Sequence, residues 1–307
     1  MPSQKDVQNR IASVKNIHKI TRAMQMVAAA RLRRAEERIE SLRPYAQAIR
    51  KMTRRVADAA GEAGARVPAL ERREEERRVG ILLVTGDRGL AGAFNAQIIR
   101  EGVRLRREVA AERGAEVSFY VVGRRGNSSM TFRGEPVVAA YEGFTDRPAF
   151  ANAREIGSAL TTAYVDGELD RVELVYNRYV SPLTQYVRRH VLLPLQEAEV
   201  LGAGVPEPET PGDPELVAAH TRALWLYEPD PEEALPKLFA EYADLSVFRA
   251  LLESTASEHG ARMTAMRSAA ENAQEMIGDL TLEMNRARQA EITQEILEVV
   301  AGAEALG

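Results

Sequence analysis

At both ends of this chain, apolar and small residues recur every 3.5 residues over stretches far longer than an ordinary globular helix. From Ser3 to about Ala60 the stripe runs Val7, Ile11, Val14, Ile17, Thr21, Met24, Ala28, Leu32, Ala35, Ile39, Leu42, Ala46, Ile49, Thr53 and Val56. That is the heptad period, and it predicts a helix wound in a left-handed supercoil with a partner helix. The seam is weak at Thr21 and Thr53, which are polar, and at Ala28, which is small. Pro44 predicts a kink or a break, because it removes a backbone hydrogen bond.

The other end reads the same way. After Pro236 there is no proline, and only Gly260 and Gly278 interrupt before Gly302. The stripe is Leu245, Phe248, Leu252, Ala256, His259, Met263, Met266, Ala270, Ala273, Ile277, Leu280, Met284 and Ala287, again at a mean step of 3.5. A helix of about 65 residues at ~1.5 Å per residue is on the order of 100 Å long. Asp230-Pro231-Glu232-Glu233 supplies a cap, a first-turn proline and acids suited to the positive helix end. The natural partner of this helix is the N-terminal one, in an antiparallel coiled coil of the two chain ends.

Between them the periodicity changes. Ile81–Thr85, Val117–Val122, Val172–Tyr176 and Ala223–Tyr227 read as short strands, and Phe94–Ala111 and Pro148–Tyr164 as helices. This alternation predicts an α/β domain with a largely parallel sheet. The expected division is 1–60 for the first helix, 79–230 for the domain and 231–307 for the last helix. Leu201–Pro214 reads as an exposed acidic loop, and Glu71–Arg78 as a solvated connector.

Charge is divided along the chain. Residues 1–60 carry 14 Lys/Arg against 5 Asp/Glu, whereas 196–233 carry 1 against 10, within a net charge of -4. The whole is not a basic nucleic-acid coat, and the first helix, with Lys15, Lys19, Arg22, Arg31, Arg33, Arg34 and Arg38, reads as a solvated face or a surface for an acidic partner. It has no aromatics before Tyr45, which disfavours nucleic acid. The chain has no cysteine, which excludes disulfides and thiolate chemistry. His18, His190, His220 and His259 show no metal-ligand spacing, so no metal site is expected. No run is long and apolar enough to cross a bilayer, and no signal peptide is evident, so membrane contact is expected only through partners.

The strongest candidate for chemistry is Thr85-Gly86-Asp87-Arg88-Gly89-Leu90-Ala91-Gly92-Ala93-Phe94-Asn95, a glycine-rich turn from strand to helix. Phosphates bind at such turns, but the Gly-x-x-Gly-x-x-Gly spacing is neither the dinucleotide fingerprint nor a P-loop. The spacing favours a structural turn at Gly86, Asp87, Arg88, Gly89 and Gly92. The pairs Glu36-Glu37 and Glu232-Glu233 sit on solvated helical positions, and no catalytic triad is compelling, so catalysis by this chain alone is not expected. Met24–Ala30 is small and apolar on nearly all faces, as core or beneath an outer sleeve. Ile292, Ile296, Leu297, Val299 and Val300 also spread beyond a two-helix seam, as three-helix packing or as a shaft tip in an apolar collar.

Three groups of residues carry a resemblance. Arg10–Asn16 and Ile20–Ala30, the turn Asp87-Arg88-Gly89-Leu90 with Gly92 and Phe94-Asn95, and Ser257–Met266 followed by Asn272-Ala273, Asp279–Thr281 and Asn285–Ile296 resemble the gamma subunit of F-type ATP synthase, bacterial type. The resemblance covers essentially the full chain. It implies an α/β fold with an antiparallel coiled coil of long terminal helices and a central Rossmann-like domain. It implies a central rotor stalk, one copy per complex, inside a ring of three alpha and three beta subunits, with the domain against the epsilon subunit and the membrane c-ring. Rotation would couple ion flow to ATP synthesis at the beta sites, with no catalysis, cofactor, nucleic acid or lipid insertion by this chain, on the cytoplasmic face of the bacterial plasma membrane. Contact or bearing residues carried over are Met24, Arg22 and Val27 on the first helix and Asn285, Arg288 and Gln289 on the last. Departures are Gly86 where serine is common, Ala91 where cysteine is common, Gly260 where alanine is usual, and a longer, more acidic 201–214 loop. The residues alone leave two alternatives: a nucleotide-binding α/β enzyme using the Gly86–Gly92 turn, or a coiled-coil scaffold.

Overall fold

The computed structural model describes residues 4–63, 73, 75–194 and 231–304. The elements are α1 (Gln4–Ala63), β1 (Arg78–Val84), α2 (Phe94–Arg113), β2 (Glu116–Val122), α3 (Arg124–Phe132), β3 (Val137–Tyr141), α4 (Phe150–Val165), β4 (Arg171–Tyr179), β5 (Gln185–Leu193) and α5 (Pro231–Glu304). The expected strand Ala223–Tyr227, His220, the loop 201–214 and the Asp230 cap lie outside the described residues.

The strands form one sheet in the order β3-β2-β1-β4-β5. β1 pairs in parallel with both β2 and β4, β2 pairs in parallel with β3, and β5 runs antiparallel to β4. β1 is a continuous buried apolar run from Val79 to Val84, as expected where layers cover both faces of a parallel sheet; β4 is buried from Val172 to Asn177 but carries Glu173 and Asn177 among its apolar residues. Edge strand β3 instead alternates half-buried and exposed.

β3, β5 and α3 carry no clear sequence signal. β5 places Arg188, Arg189 and His190 mid-strand; Arg189 pairs with Glu101 and with Glu108 (2.5 Å) on α2. α3, Arg-Arg-Gly-Asn-Ser-Ser-Met-Thr-Phe, is short and poor in helix formers. It depends on contacts from residues distant in the sequence, described below.

The chain divides into two compact units. The first comprises residues 1–31, 90–92 and 259–307, and the second residues 32–89 and 93–258. In the first, Val7 and Ile11 of α1 pack with Leu280 of α5, flanked by Val14 and Met284. His18, Arg22 and Gln25 lie beside Arg267, Ala270, Glu271 and Gln274. Ascending α1 numbers meet descending α5 numbers, so the pair is antiparallel.

In the second unit Tyr45 Oη donates to Glu241 Oε1 at 3.1 Å, Tyr179 Oη donates to Glu36, and Arg38 donates to the Pro148 carbonyl. Arg38 and Glu36 are therefore fold contacts and not solvated positions. Burial, then Arg147, lowers the Arg38 pKa. Burial raises the Tyr179 pKa, reinforced by Glu36.

The heptad reading of α5 matches its burial: every seam residue from Leu245 to Ala287 is buried or half-buried. On α1 the exception among the described side chains is Ile17, which is 50% exposed. The polar seam positions are satisfied locally. Thr21 Oγ1 donates to the Ile17 or His18 carbonyl, and Thr53 Oγ1 to the Ile49 carbonyl. α1 also continues through Pro44 as one helix, so of the expected kink or break, the break does not occur. Packing of an amphipathic face offsets the single lost hydrogen bond.

Candidate functional site: the switch-point crevice and the two-helix shaft

In an open parallel sheet, ligands bind beyond the strand C-termini where the strand order reverses, here between β1 and β4. The residues at that place fill it. Thr85 Oγ1 donates to the Val122 carbonyl at 2.6 Å and accepts from Gly126 N–H at 3.0 Å. Gly86 N–H donates to Asn95 Oδ1 at 2.8 Å.

Asp87 does what a bound anion would otherwise do. Its carboxylate accepts from the N–H groups of Arg124 (3.0 Å), Gly143 (3.0 Å) and Thr145 (3.1 Å) and from the Thr145 hydroxyl (3.0 Å). Arg124 opens α3, so the positive helix end is met by this chain's own carboxylate. Burial pushes the Asp87 pKa up, and these bonds outweigh it and hold the carboxyl below its ordinary value.

From the other side α5 enters the crevice. Ser254 Oγ donates to the Val84 carbonyl at 3.2 Å and Ser257 Oγ to the Asn177 carbonyl at 3.2 Å. Glu258 is 1% exposed, and a Cβ added at Gly86 would lie 2.7 Å from its carboxylate. The space left among Val84, Thr85, Thr145, Pro148, Leu251, Ser254, Thr255 and Glu258 is about 10 Å³, room for about one water. A nucleotide does not fit this arrangement. The Gly-rich segment works as a structural turn around Gly86, Asp87, Arg88 and Gly89. Arg88 pairs with Asp146 at 3.5 Å. Gly92 belongs to the other unit, where its Cβ would lie 3.8 Å from Ala265.

The family comparisons bear on this geometry. A family model described as ATP synthase matches residues 3–306. The ATP synthase gamma chain of Rubrobacter xylanophilus is 43% identical over 306 residues, spanning 100% of this chain and 99% of its own. The chain belongs to the ATP synthase gamma-chain family. The gamma chain of Cytophaga hutchinsonii is 42% identical over 308 residues, again spanning 100% of this chain and 99% of its own. Among solved structures, a chain from the Tetrahymena thermophila mitochondrial ATP synthase central stalk and c-ring aligns with TM-score 0.58 and 25% identity, covering 81% of this chain and 99% of that one. A chain of the Euglena gracilis mitochondrial ATP synthase aligns with TM-score 0.67 over 99% of this chain and 94% of its own at 20% identity, a likeness of fold. The fold of terminal helices and an α/β domain is the gamma-chain fold.

The family-derived contact residues divide into two groups along the first unit. Met24 is half-buried, Arg22 exposed, and Val27 53% exposed. Asn285 is half-buried, and Arg288 and Gln289 are exposed. Arg22 lines one groove with Arg267 of α5. Asn285 lies 18 residues further along α5, about 27 Å at ~1.5 Å per residue. These are therefore two separate surfaces.

The groove of about 550 Å³ that holds Arg22 also contains His18, Gln25, Arg267, Glu271 and Gln274. Arg267 and its α5 neighbours flank the heptad seam and had no sequence signal beyond that position. The last apolar residues are exposed: Ile292 is 47% exposed, Ile296 58%, Leu297 62%, Val299 72% and Val300 53%. On α1, Met26 is 63% exposed and Ile20 59%. Among the described residues, no three His, Asp or Glu side chains converge as a metal site, and no helix is long and apolar enough to cross a membrane.

Proposed function

We propose that this chain is the non-catalytic central rotor stalk of an F-type ATP synthase. It would turn inside a ring of three alpha and three beta subunits, with its sheet domain against the epsilon subunit and the membrane c-ring. The observation that carries the proposal is the antiparallel pair of terminal helices, which leaves apolar side chains of α1 and the end of α5 exposed. Large apolar side chains facing water along a helix pair call for a surrounding partner. A collar of other subunits supplies one.

Rotary coupling needs stiffness and asymmetry in this chain, and no reactive group. A sealed heptad seam resists slippage of one helix past the other. A surface that differs on each side holds three chemically identical beta sites in different conformations. The basic α1 positions Lys15, Lys19 and Arg22 suit an acidic beta loop, and Arg288 and Gln289 suit charge-assisted hydrogen bonds to another. Met24 and Val27 serve as a bearing, and Asn285 extends the second contact. The place of work is the cytoplasmic face of the bacterial plasma membrane, reached through partners.

The test is coupling in the reconstituted complex. Met24→Lys places a charge in the bearing, and the pair Arg288→Ala/Gln289→Ala removes the second contact. Both are expected to lower proton-driven ATP synthesis while the chain still assembles one copy per ring. Unchanged synthesis in either variant removes that surface from the contact set.

A further inference from the structure

One stretch of α5 is held against the sheet within the second unit. Residues 250–258 of α5 are all buried, so the helix is enclosed there on every side. Within that stretch sit Ser254 at 3% exposure, Thr255 at 5% and Ser257 at 0%. Each hydroxyl reaches a main-chain carbonyl of a different part of the domain. Ser254 Oγ donates to Val84 at the end of β1, 3.2 Å away. Ser257 Oγ donates to Asn177 in β4, 3.2 Å away. Thr255 Oγ1 lies 2.9 Å from the Thr145 carbonyl in the β3–α4 connection and shares its proton with the Leu251 carbonyl of its own helix.

We propose that Ser254, Thr255 and Ser257 form a polar lock that fixes the angular and axial position of α5 on the sheet, so that torque applied to the sheet domain turns the helix. The inference rests on the rotor-stalk reading of the chain. At 3.6 residues per turn the three side chains leave α5 in different directions. Rotation of the helix about its own axis, or a slide by one residue, breaks all three contacts together. Apolar contact alone is non-directional, and packed helices can step past one another by discrete shifts. Directional bonds to carbonyls fixed in β1 and β4 oppose such steps, because each broken bond leaves a buried acceptor without its donor. The three residues are positioning residues; they touch no substrate.

The test uses the membrane-reconstituted complex, with ATP hydrolysis and ATP-driven proton pumping measured together. In Ser254→Ala/Thr255→Val/Ser257→Ala the expected result is hydrolysis near the wild-type rate with pumping per ATP hydrolysed reduced several-fold. Ser257→Ala alone gives a smaller drop in the same ratio, and Thr255→Ser, which keeps the hydroxyl, retains wild-type coupling. A purely structural role lowers both activities in proportion to lost assembly and leaves their ratio unchanged; that result overturns the lock. An unchanged ratio in a fully assembled triple variant overturns it as well. A wild-type complex that hydrolyses ATP without pumping overturns the rotor-stalk reading, and the lock with it.

Discussion

Gly86 shows how one residue can join two distant parts of the chain. Its missing Cβ leaves space for the Glu258 carboxylate, 2.7 Å from where that atom would stand. Glu258 is 1% exposed, so it has little room to retreat. Gly86→Ala is expected to destabilise the chain by about 1–3 kcal/mol through overpacking, read as a lower urea midpoint. An unchanged midpoint shows that Glu258 yields freely. The glycine-rich turn itself is legible in the sequence. The job of Asp87 is not, because its partners Arg124, Gly143 and Thr145 lie far along the chain and no local pattern announces a carboxylate that caps another segment's helix.

Asp244 is a second residue with a measurable signature. Burial first, and then the neighbouring Glu241, push its pKa up from 3.8 to about 6, against the opposing Arg154. The close approach is real: a Cβ on Gly157 of α4 would lie 2.0 Å from Asp244 Oδ1. The folded chain binds this proton more tightly than the unfolded chain does. The contribution of Asp244 is therefore fully present below about pH 4 and is lost as pH rises through about 6. At one pKa unit per ~1.4 kcal/mol, the ionised form costs on the order of 1–3 kcal/mol at neutral pH. Asp244→Asn is expected to raise stability at pH 7.5 by about that amount and to flatten the profile between pH 4 and 7. A variant with the wild-type profile contradicts this account.

Among the elements, the two terminal helices were the most legible, because a 3.5-residue period sustained over many turns is the mark of a supercoiled helix pair and of little else. The polar interruptions do not break the pattern. Thr21 and Thr53 turn their hydroxyls onto carbonyls of the preceding turn, which lets a polar side chain occupy a buried seam. Pro44 does not end α1, because propensity is a weak prior beside tertiary packing. α3, β3 and β5 were illegible for a related reason. α3 is supported by Asp87, and β5 carries arginines, of which Arg189 is met by carboxylates of α2; such support exists only in the folded chain. The seam itself gives a test. Leu280 is 5% exposed and packs on Val7 and Ile11. Leu280→Ala is expected to cost about 2–3 kcal/mol, the lower part of the buried-leucine range because a two-helix site can partly collapse. A urea midpoint equal to wild type shows that this end of the helix pair contributes no stability.

For the whole molecule, the division of labour follows from what each part has and lacks. The sheet domain has the topology of a nucleotide binder but fills its own crevice with Asp87, Ser254 and Glu258. The helix pair has exposed apolar and basic side chains and no reactive constellation among the described residues. Because the chain has no cysteine, one introduced thiol is the single thiol of this chain and can be labelled before assembly. Leu183, 81% exposed between β4 and β5, is the place for it. With the alpha–beta ring immobilised and a probe on Leu183→Cys, addition of ATP is predicted to drive the probe through successive full turns in one direction. A probe that stays still while the same complexes hydrolyse ATP contradicts the rotor assignment.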